Sequence, residues 1–116
     1  MRQSILHEKA LDFTANIVKM YESFLLLKKD NTIAKQLLRS ATSIGANINE
    51  ATFGNSKADF ISKLHIALKE CSESIYWLEL LKKVNYNIEN IDVLIDDCNH
   101  IKALLIKSIN TAKANN

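Results

Sequence analysis

Three histidines, two cysteines and 13 carboxylates are the residues of this 116-residue chain best able to bind a metal or move a proton. Their spacing forms no familiar site. Di-iron centres in helical bundles use two Glu-x-x-His pairs plus further carboxylates. Here Glu70-x-x-Glu73 falls on one stretch and Asp97-x-x-His100 on another, with no second carboxylate–histidine pair. His65 stands alone, and His7 lies near the N-terminus. No metal and no cofactor is expected. Cys71 and Cys98 sit at apolar positions of helical period, where a thiol stays protonated and inert. RQSILH at 2–7 has the Arg-to-His spacing of a helical ribonuclease motif, but at a chain end, outside that motif's late-helix setting. No glycine-rich phosphate loop or nucleophile elbow occurs. No catalytic residue is assigned, and the chain reads as a non-enzyme.

The patterned polar residues that remain are those of RSATSIGANINEA, 39–51. The stretch lies inside an apolar pattern of helical period, yet it is rich in poor helix formers. The elements around it explain where it must sit. The chain has no proline and only two glycines, Gly45 and Gly54, so long helices meet few interruptions. Leu6, Ala10, Phe13, Ile17, Met20, Phe24 and Leu27 alternate steps of four and three, with Leu11, Val18, Tyr21 and Leu25 widening the stripe. They predict a first helix over about 4–28. Asp30 or Asn31 caps a second helix over about 32–53, whose apolar seam is Leu37, Ala41, Ile44, Ile48 and Ala51. Gly54 ends it as the residue that accepts a positive φ. Ser56, with Asp59 three residues on, opens a third helix over about 57–84. Its stripe is Phe60, Ile61, Leu64, Leu68, Cys71, Ile75, Leu78 and Leu81. NYNIEN makes the last turn, with Asn87 as cap, before a fourth helix over about 88–113. Ile91, Ile95, Cys98, Ile101, Leu105, Ile109 and Ala112 point inward there.

Four long helices joined by short turns give an all-α fold: one antiparallel up-down-up-down four-helix bundle spanning residues 1–116 as a single domain. No run of apolar residues approaches a membrane span, and the N-terminus lacks the apolar core of a secretory signal. With two thiols and no disulfide framework, a cytoplasmic protein is expected.

Beside the apolar seam of the second helix runs a polar one: Gln36, Ser40, Ser43, Asn47 and Glu50. The third helix has a matching line in Lys63, Ala67, Glu70, Ser74 and Trp77. With the hairpin turn centred near residue 55, Arg39 falls level with Glu70 and Glu73, and Asn47 or Glu50 with Lys63. The structural polar seam is therefore Arg39, Ser40, Ser43, Asn47, Glu50, Lys63, Glu70 and Glu73. Small Ser40, Ser43, Gly45 and Ala46 would let a neighbouring helix come close.

These residues carry a resemblance. KQLLRSATSIGANINEA followed by DFISKLHIALKECSESIYWLELL resembles the 23S ribosomal RNA intervening-sequence proteins, a four-helix-bundle family. The matching positions include Arg39, Ser40, Ser43, Asn47, Glu50, Lys63, Glu70, Glu73 and Trp77. The resemblance implies a bundle that assembles as a ring-shaped homopentamer. A related accessory protein of diversity-generating retroelements works with a reverse transcriptase and binds nucleic acid, which implies RNA, DNA or a nucleic-acid enzyme as partners.

Two surfaces follow as expectations. The first and third turns share one end of such a bundle, collecting Lys28, Lys29, Lys35, Arg39, Lys82 and Lys83, six of the 15 basic residues. These neutralise phosphates in one reading. In the other they complement helix dipoles, and Arg39 pairs with Glu70 or Glu73. Tyr76 and Trp77 anchor a subunit contact, or Trp77 packs within its own bundle. The alternative function is a protein–protein scaffold without nucleic-acid contact.

Overall fold

Leu6, Ala10, Phe13, Ile17, Met20 and Phe24 are all buried along one side of α1 (Arg2–Leu26), as their four-and-three spacing requires. The computed structural model describes the backbone of residues 2–84 and 87–115 and the side chains from Ile5 onward. Three further helices follow: α2 (Thr32–Thr52), α3 (Lys57–Lys83) and α4 (Ile91–Ala114). α1 packs on α2, α2 on α3, α3 on α4, and α4 returns to α1. This is the all-α, up-down-up-down bundle. It measures 51 × 20 × 20 Å, one long helix in length and two helix diameters across.

The turns explain where the helix ends depart from expectation. α1 stops at Leu26 because Lys28 takes a left-handed φ of 54°. The Lys29 amide then donates to Phe24 O at 2.9 Å, and the Lys28 amide to Leu25 O at 3.1 Å. That pair of bonds closes the helix as a Schellman motif. The Lys29 ammonium folds back to 5.4 Å from the centre of the Phe24 ring. Leu27, expected in the core, lies past the helix end and is exposed. Ahead of α2, Asp30 Oδ1 accepts from the Thr32 amide at 3.0 Å and from its hydroxyl at 2.8 Å. Those bonds hold the Asp30 carboxyl below its ordinary pKa. α3 has the expected cap: extended Ser56 accepts from the Asp59 amide at 3.1 Å. α4 begins at Ile91 with Asn90 in the cap position, not with Asn87. Asn87 instead adopts φ 53°, a left-handed turn conformation that asparagine tolerates. Asn85 and Tyr86 of the expected turn lie outside the described residues.

The glycines have other jobs than those expected of them. Gly54 does not have a positive φ. What it supplies is room: a Cβ there would stand 2.8 Å from Asp59 Oδ2 and 3.2 Å from the Ala51 carbonyl oxygen. Gly45 faces α1, and a Cβ on it would meet Ala10 Cβ at an ordinary 3.9 Å.

The core lines also shift. In α3 the fully inward line is Leu64, Ala67, Cys71, Ser74, Leu78 and Leu81. Phe60, Ile61, Leu68 and Ile75 are only partly buried. In α4, Leu94 and Ser108 are buried while Ile95 is partly buried. Leu11, Val18 and Leu25 do not widen the α1 core; they are exposed on its outer face. No described helix is long and apolar enough to cross a membrane.

An alanine at Gly45 keeps ordinary contact with Ala10 and removes the helix-interior glycine penalty. Gly45→Ala is expected to stabilise the protein by about 0.5–1 kcal/mol in denaturant unfolding. Gly54→Ala, which crowds a backbone oxygen, is expected to destabilise it.

Candidate functional site

The polar residues of α2 and α3 meet as one seam along the helix pair. Nearest the connecting turn, Lys63 Nζ lies 3.1 Å from Glu50 Oε1. One turn further along α2, Asn47 Nδ2 donates to Ser43 O at 2.9 Å and to Ser43 Oγ at 3.2 Å. The Ser43 hydroxyl donates across to Glu70 Oε2 at 3.3 Å. Ser40 and Ser74 are completely buried and share a hydroxyl–hydroxyl bond of 2.7 Å, with Ser40 also donating to Leu37 O at 3.1 Å. At the far end the Arg39 guanidinium pairs with Glu73 Oε2. These pairs centre the hairpin near residue 56 or 57 instead of 55. Lys63 therefore meets Glu50 and not Asn47, while Arg39 meets Glu73 and Glu70 takes Ser43.

Burial decides what each bond contributes. Ser40 and Ser74 are small enough for the backbones to approach, and each satisfies the other's hydroxyl in a dry interface. Glu70 Oε1 is buried with no hydrogen-bond partner among the described residues. Arg39, by contrast, has a side chain 55% exposed and Glu73 one 29% exposed. Theirs is a surface pair, of the kind that contributes little. The loss of about 3 kcal/mol that a buried pair would show is not expected. Trp77 Nε1 also donates to Glu73 Oε2, at 3.1 Å. The Trp77 bond, then the Arg39 bond and charge, hold the Glu73 carboxyl below its ordinary pKa against the opposing effect of burial. Its depressed folded pKa places this contribution to stability above the unfolded value near 4.5, and it is lost as pH falls through the folded value.

Trp77 is thus tied to its own bundle, partly buried against the core. Tyr76 is 58% exposed and stands edge-on to Trp77, ring centres 5.1 Å apart. At the lysine-rich end, Lys82 Nζ is paired with Asp92 Oδ1 at 2.7 Å, which raises the Lys82 pKa. With Arg39 on Glu73 and Lys29 over Phe24, three of the six expected cations are engaged within the chain. Lys28, Lys35 and Lys83 are exposed, and Lys29 is partly so over Phe24.

A cleft of about 180 Å³ between α1 and α4 is lined by Lys9, Asp12, Phe13, Asp97, His100 and Ile101. It brings Asp12 to the Asp97–His100 stretch, but no three metal-binding side chains converge among the described residues. Cys98 Sγ lies 3.6 Å from the Cys71 carbonyl oxygen, and both cysteines are buried. The Cys98 side-chain bond and burial push the Cys71 thiol far above its ordinary pKa, so it forms no thiolate nucleophile. Sequence reasoning placed Ser74 and Ala67 on the polar line matching that of α2, without their full burial, and overlooked Thr14. The Thr14 hydroxyl bonds Ala10 O at 2.7 Å and Ala41 O at 3.2 Å, bridging α1 to α2. The signal available was a small hydroxyl residue immediately after the core residue Phe13.

The model of the family described as 23S rRNA-intervening sequence protein matches residues 2–107. A solved structure from Bacteroides thetaiotaomicron VPI-5482, described as a protein with unknown function from the S23 ribosomal protein family, is 43% identical. It covers 95% of this chain and 99% of its own, with a TM-score of 0.90. Comparison with curated proteins finds no match.

The seam makes two contrasting demands on mutants. Ser40→Ala strands the Ser74 hydroxyl in a dry interface and is expected to cost about 1–3 kcal/mol. The double change with Ser74→Ala should cost less than the two single changes together. Arg39→Ala should cost only ~0.5–1 kcal/mol. Denaturant unfolding of the double-mutant cycle at neutral pH checks both expectations.

Proposed function

The chain belongs to the 23S rRNA-intervening sequence protein family, and from that premise we propose that it is a non-enzymatic, cytoplasmic, homo-oligomeric bundle that engages nucleic acid. It acts alone or beside an enzyme of nucleic-acid metabolism. The observation that carries this reading is a set of lysines at one end of the bundle, with Lys28, Lys35 and Lys83 exposed and Lys29 partly so over Phe24. The α1–α2 turn and the start of α2 place Lys28, Lys29 and Lys35 there, and the end of α3 places Lys83 there. Such cations hold phosphates through charge, without reading bases.

A second reading is favoured by a specific observation. Arg39 and Lys82 are committed to Glu73 and Asp92, and Asp30 lies at the same end. That dilution suits a scaffold for protein partners with no nucleic-acid contact. Salt separates the two readings, because phosphate contacts release counterions. If four lysines each neutralise one phosphate, affinity for structured RNA falls about 50- to 150-fold between ~50 and ~200 mM salt. Fluorescence anisotropy on the purified protein measures this. Changing Lys28, Lys29, Lys35 and Lys83 to glutamate should abolish the binding while leaving the fold's helical signal intact. Absence of binding at micromolar protein in low salt would reject nucleic acid and leave the scaffold.

A further inference from the structure

Lys69, Tyr76 and Lys83 follow one another at seven-residue spacing on α3, so they share one line along the helix. The line lies opposite the buried residues Leu64, Cys71 and Leu78, and all three of its members are exposed. Each lysine stands about 10.5 Å from the tyrosine at ~1.5 Å per residue. Among the described residues neither lysine takes part in an ion pair. The ring between them is held in place by its neighbours. Glu73, itself paired with Arg39, accepts from Trp77 Nε1 at 3.1 Å. The Trp77 ring so fixed stands edge-on to Tyr76, with ring centres 5.1 Å apart and planes at 69°. Tyr76 remains 58% exposed. A positioned aromatic ring between two exposed cations is the pattern of a polynucleotide track.

We infer that this line binds a single strand of nucleic acid, with a base stacked on Tyr76 and neighbouring phosphates held by Lys69 and Lys83. This rests on the nucleic-acid reading above and narrows it to unpaired strands. An aromatic ring takes the face of a base, and a duplex keeps those faces inside its own stack. A structured RNA offers them in its loops and bulges. Every base has such a face, so no sequence preference follows. Charge on the two flanks sets the path of the strand. Toward α4, Lys83 borders a shallow groove shared with Glu79, Lys82, Asp92, Ile95 and Asp96. Lys82 is paired with Asp92 there, and the three carboxylates make the groove net acidic, which repels phosphate. Toward α2, Lys35 and Arg39 are exposed, and the strand crosses on that side. Lysine is depleted at protein–protein contacts, which sets this line apart from a subunit contact built on the same tyrosine.

Fluorescence anisotropy with two labelled probes tests the line: a short oligouridine, which stays unpaired, and an RNA duplex of the same length. Tyr76→Ala should weaken oligouridine binding roughly 5- to 150-fold and leave duplex binding unchanged. Tyr76→Phe, which keeps the ring, should bind as wild type does. Lys69→Ala should lower the slope of log affinity against log salt by about 0.7, the share of one phosphate contact on a single strand. Circular dichroism and the fluorescence of Trp77, the one tryptophan, verify that each variant is folded. Light scattering gives its solution mass. If Tyr76→Ala binds oligouridine as wild type does, or weakens both probes equally, the α3 line is wrong. It is wrong too if Lys69→Ala leaves the salt slope alone. If Tyr76→Ala lowers the solution mass instead of the affinity, the tyrosine is a subunit anchor and the line is again wrong. In each of these cases wild type still binds RNA, and the nucleic-acid reading stands. If wild type binds neither probe at micromolar protein in low salt, both fall.

Discussion

The rest of the bundle depends on how closely α2 and α3 approach each other. Their shared inner line carries Ser40, Ala41, Ala67 and Ser74, all with no exposed surface. Side chains this small leave little apolar area to bury. What the pair gains instead is backbone proximity and a satisfied hydroxyl bond of 2.7 Å at its centre. A larger residue at any of these positions would push the helices apart. The flanking bonds would then open, because Ser43–Glu70 and Lys63–Glu50 already stand at 3.3 and 3.1 Å. This makes the polar seam a device for register more than for stability. An apolar interface of small residues could slide by a turn at little cost. Paired buried hydroxyls permit one alignment, because any other strands both of them.

The remaining helices close around that pair by a different principle. α1 contributes large side chains, Phe13, Ile17 and Phe24, which fill the space facing α2 and α4. Thr14 adds a polar link from α1 to the Ala41 carbonyl, on the very turn of α2 that carries Ser40. On the α3–α4 side the sulfur of Cys98 approaches the Cys71 carbonyl in the same way. Each neighbour is thus tied to the central pair through a backbone carbonyl rather than through a second charged seam. The charges are left at the surface, where they are weak contributors to folding and available to partners.

Much of this architecture was legible because helices announce themselves by period. The α1 core from Leu6 to Phe24 and the α2 line from Leu37 to Ala51 were readable, since strong alternation of fours and threes admits one face only, but Leu27 lies exposed past α1, and Ala34 and Ser40 join the buried side of α2. The seam's cross-helix charge pairs were also readable once a hairpin was assumed. What could not be read was the depth of each line. Ser74 and Ala67 fall on a polar line in a hydropathy pattern, yet helix proximity buries small side chains whatever their polarity. Leu11, Val18 and Leu25 look like core by the same pattern and are not, because a helix packed on two neighbours has only one buried side. The turn chemistry was opaque for a related reason. Lys28 and Asn87 adopt left-handed conformations that composition assigns to glycine, and Gly54, which composition would choose, does not.

Where a function resides in such a molecule follows from what the fold leaves unsatisfied. A cleft that gathers acid, base and histidine side chains sits between α1 and α4, and no three metal-binding side chains converge among the described residues. The thiols are sealed in the core. What the fold does leave open includes a group of lysines at one end of the long axis and an apolar line along one side. The two are set apart in direction, so a contact along the side leaves the end free. A homo-oligomer of such bundles would present several cationic ends in a geometry that its symmetry sets. Phosphate contacts that are individually weak gain from such multiplicity, because the second contact forms at the effective concentration set by the first. Assembly would then supply what a dilute patch of four lysines on a single chain lacks.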